Sequence, residues 1–422
     1  MTKKQRKLED LEKKSQERRE WQTKKLEEVA HINLGQSPKG EYYNEEGDGP
    51  HFIQGSKNFG DKYPELERFC SEPKREADEG DVLISVRAPV GPVNIAPEKL
   101  CIGRGVTALR LNEGSNEYLF YFLKYFEDKW SQFADGTTFN SITKSDLQNL
   151  ELPYPPKDER NKIAFILRKL DEKIENNNQI NEILEELVQT LFKSRFVDYE
   201  PYEQFKDVEI GEIPENFEIL KIGDVCSTRG GGTPSTENDE YWNGDNLWLT
   251  PKEVTSLDSK IVFDTERKVS DEGLNNSSTA IMPVKSVLLT SRATVGEVVV
   301  NREPMGTNQG FICIQPNGRI EPYYLACLVE NKRPEIENRA SGSTYDEISQ
   351  TSFNGIQVAV PPKEDIEEFE NKVEDIYEDI YTRELENRRL EELRDTLLPK
   401  LMSGEIRVDD IKLDELKLNN EV

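Results

Sequence analysis

Histidine is nearly missing from this chain of 422 residues, which holds only His31 and His51. So few histidines exclude the HExxH and HxE…CxxC signatures and leave little room for a Ser-His-Asp triad. Cysteine is also scarce. The five present (Cys70, Cys101, Cys226, Cys313, Cys327) form no CxxC pair, so neither a zinc knuckle nor a disulfide framework is supported, and they read as small buried apolar residues. No apolar run approaches membrane-spanning length, and the Met-Thr-Lys-Lys start leads into no apolar stretch, so the expectation is a cytoplasmic protein without a membrane partner. The GxxxxGK[ST] phosphate loop is absent too. Gly230-Gly231-Gly232 runs into Thr233-Pro234 where a helix would have to start, and Gly103-Arg104-Gly105 is a bare GxG. Tyr154-Pro155-Pro156 lacks the Asn/Asp and the closing aromatic of the (N/D)PP(Y/F) motif of amino-methyltransferases. No metal, cofactor or catalytic site is legible, and the chain reads as a non-enzyme.

Positive charge is in short supply as well. Lys and Arg number 55 against 82 Asp and Glu, a net charge of −27, whereas a protein that neutralises phosphates normally shows a basic face. The deficit is uneven: residues 1–30 hold ten Lys/Arg against seven Asp/Glu, and residues 363–422 hold ten against twenty. The acid excess therefore lies heavily in the last helix and tail, and the N-terminal arm is basic.

What the chain does have is a long internal repeat. LISVRAPVG at 83–91 recurs as LLTSRATVG at 288–296, with Arg87 on Arg292 and Gly91 on Gly296, each 205 positions on. ADGTTFNSI from Ala134 returns as ASGSTYDEI from Ala340, and Pro155-Pro156 as Pro361-Pro362, each copy running into a charged helix. A period this long exceeds the roughly 20–50 residues of solenoid units and marks a duplicated domain plus helix.

Strand-like runs at 81–87, 93–96 and 105–111, a helix over 118–134 and an apolar run at 147–153 describe the first copy. The second follows with strands near 286–291, 296–300 and 310–315, a helix over 323–339, a strand at 356–360, and an insertion around 230–280 that reads as long loops. After each Pro-Pro, apolar residues alternate by three and four. Ile163, Ile166, Leu170, Ile174, Asn177, Asn181, Leu184, Leu187 and Leu191 form one seam, and Ile366 to Leu397, through Arg383, Asn387 and Arg394, the other. Polar residues in matching layers suit two helices packed on each other in fixed register. The expected fold is α+β: two similar mixed α/β domains separated by two long antiparallel coiled-coil helices, with a pseudo-twofold repeat. Its parts are a helical arm at 1–20, domains at 21–157 and 216–362, helices at 158–200 and 363–403, a linker at 201–215 and a tail at 404–422.

Each module offers loops suited to DNA. Candidate contacts in the first are Gln36, Lys39, Tyr42, Gln54, Lys57, Arg87, Arg104, Thr137, Thr138 and Asn140. In the second they are Arg229, Thr233, Trp242, Thr250, Lys252, Arg292, Asn308, Gln309, Ser343, Thr344 and Tyr345. Arg and Lys suit guanine edges or phosphates, Asn and Gln suit adenine, and Ser and Thr hold phosphates. Each has a plainer reading: Arg87 and Arg292 as ion-paired scaffold, Trp242 as packing, and the Gly-Thr-Thr and Gly-Ser-Thr turns as caps.

With these features together, the chain resembles the specificity subunit of type I restriction–modification systems over nearly its whole length. The resemblance is carried by the duplicated plan, GGTPSTENDEYWNGDNLWLT at 231–250, SRATVGEVVV at 291–300, TNQGF at 307–311 and GTTFNSITKSDLQNLELPYPPKDERNKIAFIL at 136–167. The first module departs from it by lacking a GGTP-type loop, LGQSPKGEYYNEEGDGPHFIQG at 34–55 filling that place. The resemblance implies two target-recognition domains, each reading half of an interrupted double-stranded DNA site, with helices that set the spacer and dock two modification (adenine-methyltransferase) subunits, which restriction subunits join. It places S-adenosylmethionine on the modification subunits, ATP and Mg on the restriction subunits, and no cofactor on this chain. The rival readings are a coiled-coil scaffold with two protein-binding ends and, against the missing motifs, an enzyme such as a nuclease or single-chain methyltransferase with an unrecognised site.

Overall fold

The computed structural model describes residues 21–127, 129–130, 141–340 and 346–411. The chain divides into two compact units, Met1–Lys173 with Arg389–Val422, and Ile174–Arg388.

Unit one is built on an antiparallel sheet in the order Ala30–Leu34, Val106–Leu111, Val82–Ser85, Val93–Ile95. Alternate side chains of a strand point to opposite faces, and the sequence divides them accordingly. Val82, Ile84, Leu109 and Leu111 pack on the helix Asn116–Phe126, which buries Tyr118 to Leu123. Leu83, Val106 and Ala108 face a small sheet of Phe52–Ile53, Leu100–Ile102 and Glu76–Ala77. Both faces are covered, which is why these strands read as unbroken apolar runs.

Unit two repeats the plan with one strand more: Cys226–Gly230, Phe311–Pro316, Val287–Thr290, Val298–Asn301, Ile261–Val262. Val287, Leu289, Ile312 and Ile314 pack on the helix Pro322–Asn331, while Leu288, Phe311 and Cys313 face the other way. The insertion expected as long loops is ordered instead. It contributes the eight-residue strand Trp242–Leu249, which pairs with Arg267–Val269 and with Met305–Thr307; its buried Trp248 and Leu249 supply the apolar contact that its Gly, Ser and Asn content concealed.

Two further expectations are corrected. The apolar run at 147–153 is split between the helix Lys144–Asn149, opened by a Thr143–Asp146 capping box, and the strand Glu151–Tyr154. The helix expected over 323–339 breaks at Lys332 into Pro322–Asn331 and Arg333–Arg339, because Pro334 has no N–H to continue the first helix.

Two long helices, Lys157–Phe196 and Lys363–Ser403, follow the Pro-Pro pairs. They run antiparallel. In unit two Asn177 Nδ2 donates to Asn387 Oδ1 at 2.8 Å and Arg195 reaches Asp365 at 2.7 Å; in unit one Arg394 pairs with Asp171 at 3.0 Å. Asn177, Asn181 and Asn387 are buried, with Asn181 bonding Glu384 at 2.7 Å, so the polar layers read from sequence face each other across the pair. The first seam departs from expectation beyond Leu184. Val188, Phe192 and Phe196 are buried there, while Leu187 and Leu191 are exposed.

One carboxylate locks the distal helix to the unit-two domain. Glu370, 8% exposed, accepts the Tyr323 and Tyr324 N–H groups at 3.0–3.1 Å, capping the helix Pro322–Asn331 from a distance. Burial pushes its pKa up to about 7 despite those bonds. A carboxyl with a raised folded pKa gives stability that is present below the unfolded value and lost as pH rises through the folded one. Wild type should thus lose more stability between pH 5 and pH 8 than Glu370→Gln, by roughly 3 kcal/mol at most. Urea denaturation at the two pH values measures the difference, and equal losses would refute it.

Candidate nucleic-acid interface

In unit one, five segments are laced together by main-chain hydrogen bonds. Gln36 N–H donates to Ile102 O at 3.0 Å, Gly103 to Ile53 at 2.8 Å, Val86 to Gly105 at 2.9 Å, and Ile142 to Val86 at 2.9 Å. The Ser37 hydroxyl accepts the Arg104 N–H at 3.2 Å. This lacing gathers Gln36, Gln54, Arg87 and Arg104 on one loop cluster, all four exposed. Neither Arg87 nor Arg104 forms an ion pair among the described residues.

Unit two makes the same bonds at the matching positions. Gly232 N–H donates to Thr307 O at 2.9 Å, Asn308 to Leu249 at 3.2 Å, Ser291 to Gly310 at 2.7 Å, and Ile348 to Ser291 at 3.0 Å; the Thr233 hydroxyl bonds the Gln309 side chain. Val86 corresponds to Ser291, Gly105 to Gly310, Gly103 to Asn308, Arg104 to Gln309 and Gln36 to Gly232. Gly35-Gln36-Ser37-Pro38 therefore stands where Gly231-Gly232-Thr233-Pro234 stands, and the loop that the first module lacks in sequence is present in its backbone. Close approach requires the leading glycine in each. A Cβ on Gly35 would fall inside the Gly103 carbonyl, and one on Gly231 inside that of Asn308.

The turn after each central strand is also shared. Gly91 and Gly296 take φ of 111° and 104°, their N–H groups bonding Ser85 O at 3.1 Å and Thr290 O at 3.0 Å. The turn leaves Arg87 bridged to Ser141 and Arg292 to Glu347.

Not every candidate is available to a ligand. The Thr250 hydroxyl and N–H both bond Glu253 Oε2, at 2.6 and 2.8 Å, capping Pro251–Val254, so Thr250 is a cap first. Trp242 Nε1 donates to Ser235 O at 3.1 Å. Tyr42 is half-buried against the Phe52, Cys70 and Cys101 cluster, its hydroxyl pKa raised by hydrogen bonding to Glu72. Lys39 pairs with Glu41 at 3.3 Å and Arg292 with Glu347 at 3.7 Å, all four side chains well exposed, where such pairs count for little. Lys57, Arg229 and Lys252 are exposed, and none is ion-paired among the described residues. Asn308 is half-buried, its Oδ1 accepting the Gly310 N–H at 2.8 Å. Thr137, Thr138, Asn140, Ser343, Thr344 and Tyr345 lie outside the described residues. Sequence reasoning passed over Arg267, whose guanidinium lies 3.6 Å from the Trp242 ring centre. The sequence signal was the short alternation Arg-Lys-Val beside the Trp-rich strand.

All five cysteines are buried and free, and burial pushes the thiols of Cys101 and Cys226 up to about 12. Among the described residues no group of three His, Cys, Asp or Glu could hold a metal ion, and no helix is long and apolar enough to cross a membrane.

Residues 18–186 and 214–395 match the family described as Type I restriction modification DNA specificity domain. The MjaIX type I restriction enzyme specificity subunit of Methanocaldococcus jannaschii is 26% identical, over 93% of this chain and 95% of that one. The HindI specificity subunit of Haemophilus influenzae is 29% identical, over 69% and 75%. Among solved structures, the S subunit of the type I restriction–modification system from M. genitalium matches with a TM-score of 0.60 at 19% identity, covering 92% of this chain and 97% of that one, a likeness of fold.

Proposed function

The chain belongs to the type I restriction modification DNA specificity family, and from that premise we propose that each unit reads one half of an interrupted double-stranded DNA site through its laced loops. The observation that carries this reading is the shared hydrogen-bond skeleton dressed with unlike side chains. Gln36 and Arg104 stand in one unit where Gly232 and Gln309 stand in the other. Common geometry with different donors and acceptors suits two half-sites of different sequence. The chain is the specificity element, and catalysis belongs to its partners: methyl transfer with S-adenosylmethionine to modification subunits, ATP-driven restriction to restriction subunits. The long helices set the unread spacer.

The helices also offer a docking face. Ile180, Ile183, Leu187 and Leu191 form an exposed stripe on the central helix, Ile183 being 63% exposed, beside exposed Glu175, Glu182 and Glu186. Exposed apolar stripes with charged flanks mark partner surfaces, and modification subunits are the occupants this reading assigns. Ile183→Glu should abolish co-purification of those subunits without shifting the melting temperature; retained association would remove the assignment.

The decisive experiment reconstitutes the chain with its modification subunits and maps the methylated adenines. An interrupted motif marked once on each strand is expected. Lys39→Ala or Gln54→Ala should alter only one half, and Lys252→Ala or Gln309→Ala only the other. Changes in both halves together would break the assignment. An acidic chain should also bind DNA weakly alone and tightly with its partners, and a footprint missing in both cases would favour the scaffold.

A further inference from the structure

We infer that Arg267 reads a guanine in the half-site bound by unit two, an inference resting on the reading of unit two as a DNA-recognition module. Arg267 opens the strand Arg267–Val269, opposite Trp248. Its guanidinium carbon lies 3.6 Å from the ring centre of Trp242 and 5.4 Å from that of Trp248. The two indoles meet edge to face at 5.0 Å. Both indole N–H groups are committed to the Gly-Gly-Thr-Pro-Ser loop: Trp242 Nε1 donates to Ser235 O at 3.1 Å and Trp248 Nε1 to Gly232 O at 3.0 Å. The platform beneath Arg267 is thus fastened to the loop that carries Thr233, which itself holds Gln309.

Charge singles out the same residue. In a chain of net charge −27, an exposed arginine beside Glu266 would be expected to find a carboxylate. The next residue does, Lys268 standing 3.7 Å from Asp264. Arg267 is exposed and in no ion pair among the described residues; it lies against indole instead. Stacking holds the planar group while leaving its edge of N–H donors open. Less side-chain freedom is then lost when DNA arrives. The acceptors that match such a fork in the major groove are O6 and N7 of guanine.

The test uses the full chain with its modification subunits and duplexes in which each base pair of the two half-sites is varied in turn. Arg267→Ala should lower affinity for the cognate site about 10- to 100-fold and relax preference at a single G·C pair of one half-site. Arg267→Lys, which keeps the charge and loses the fork, should relax the same pair, and the other half-site should be unchanged for both. Equal weakening on every sequence with a shallower salt dependence would overturn the inference in favour of a phosphate contact. Unaltered specificity in both variants would overturn it in favour of packing. A wild-type complex with no interrupted site would overturn the premise as well, an outcome separable because it does not involve the variants.

Discussion

Gly35→Ala should erase recognition of one half-site and Gly231→Ala that of the other, each lowering specific affinity about 100-fold or more. The expectation follows from where the missing Cβ would go. Neither site has room for a side chain, because the nearest neighbours are main-chain carbonyls, Gly103 and Val106 in one unit and Asn308 in the other. A flexible side chain can step aside, whereas a carbonyl held in a ladder cannot. Relief requires breaking Gly35 N–H to Val106 O at 3.0 Å with its neighbour Gln36 N–H to Ile102 O, or Gly232 N–H to Thr307 O at 2.9 Å. Local strain and lost bonds of this kind cost a few kcal/mol, and about 2.7 kcal/mol corresponds to 100-fold in affinity. Methylation mapping of the reconstituted variants reads the outcome, since a half-site that no longer discriminates appears as a truncated motif. If Gly35→Ala and Gly231→Ala degraded the same half, the pairing of the two loops would be wrong.

Much of this arrangement was legible in the chain. The repeat at Arg87 and Arg292 is visible because a turn that needs a left-handed glycine, Gly91 or Gly296, tolerates little change. The loop equivalence of Gln36 with Gly232 was not visible, because it resides in main-chain bonds that any side chain can accompany. Thr250 illustrates a different limit. Its identity is shared by a DNA contact and a helix cap, and only the 2.6 Å bond to Glu253 separates the two. Trp242 looked like packing or base contact and serves as a platform, a role that needs Arg267, twenty-five positions on, to define it. The insertion around it read as loops because its polar turns outnumber the few residues, Trp248 and Leu249, that anchor it.

The helix seam shows the same competition at larger scale, and it yields the second large effect. A strict heptad places Leu187 and Leu191 inside, but the domain of unit two presents Tyr324 beside the helix pair. Phe192 lies 5.4 Å from Tyr324, 5.4 Å from Phe196 and 5.8 Å from Phe369 by ring centres. Three aromatic contacts and full burial outweigh the periodicity, so Val188, Phe192 and Phe196 turn inward and the leucines outward. Phe192→Ala should therefore destabilise the unfolding transition that includes unit two by about 3–5 kcal/mol, the range for truncating a buried aromatic. Leu187→Ala, at a position 43% exposed, should shift it by no more than about 0.5 kcal/mol while weakening association with modification subunits. Denaturant midpoints of the two variants decide between the arrangements. A costly Leu187→Ala beside a silent Phe192→Ala would restore the uninterrupted heptad and remove the docking stripe with it.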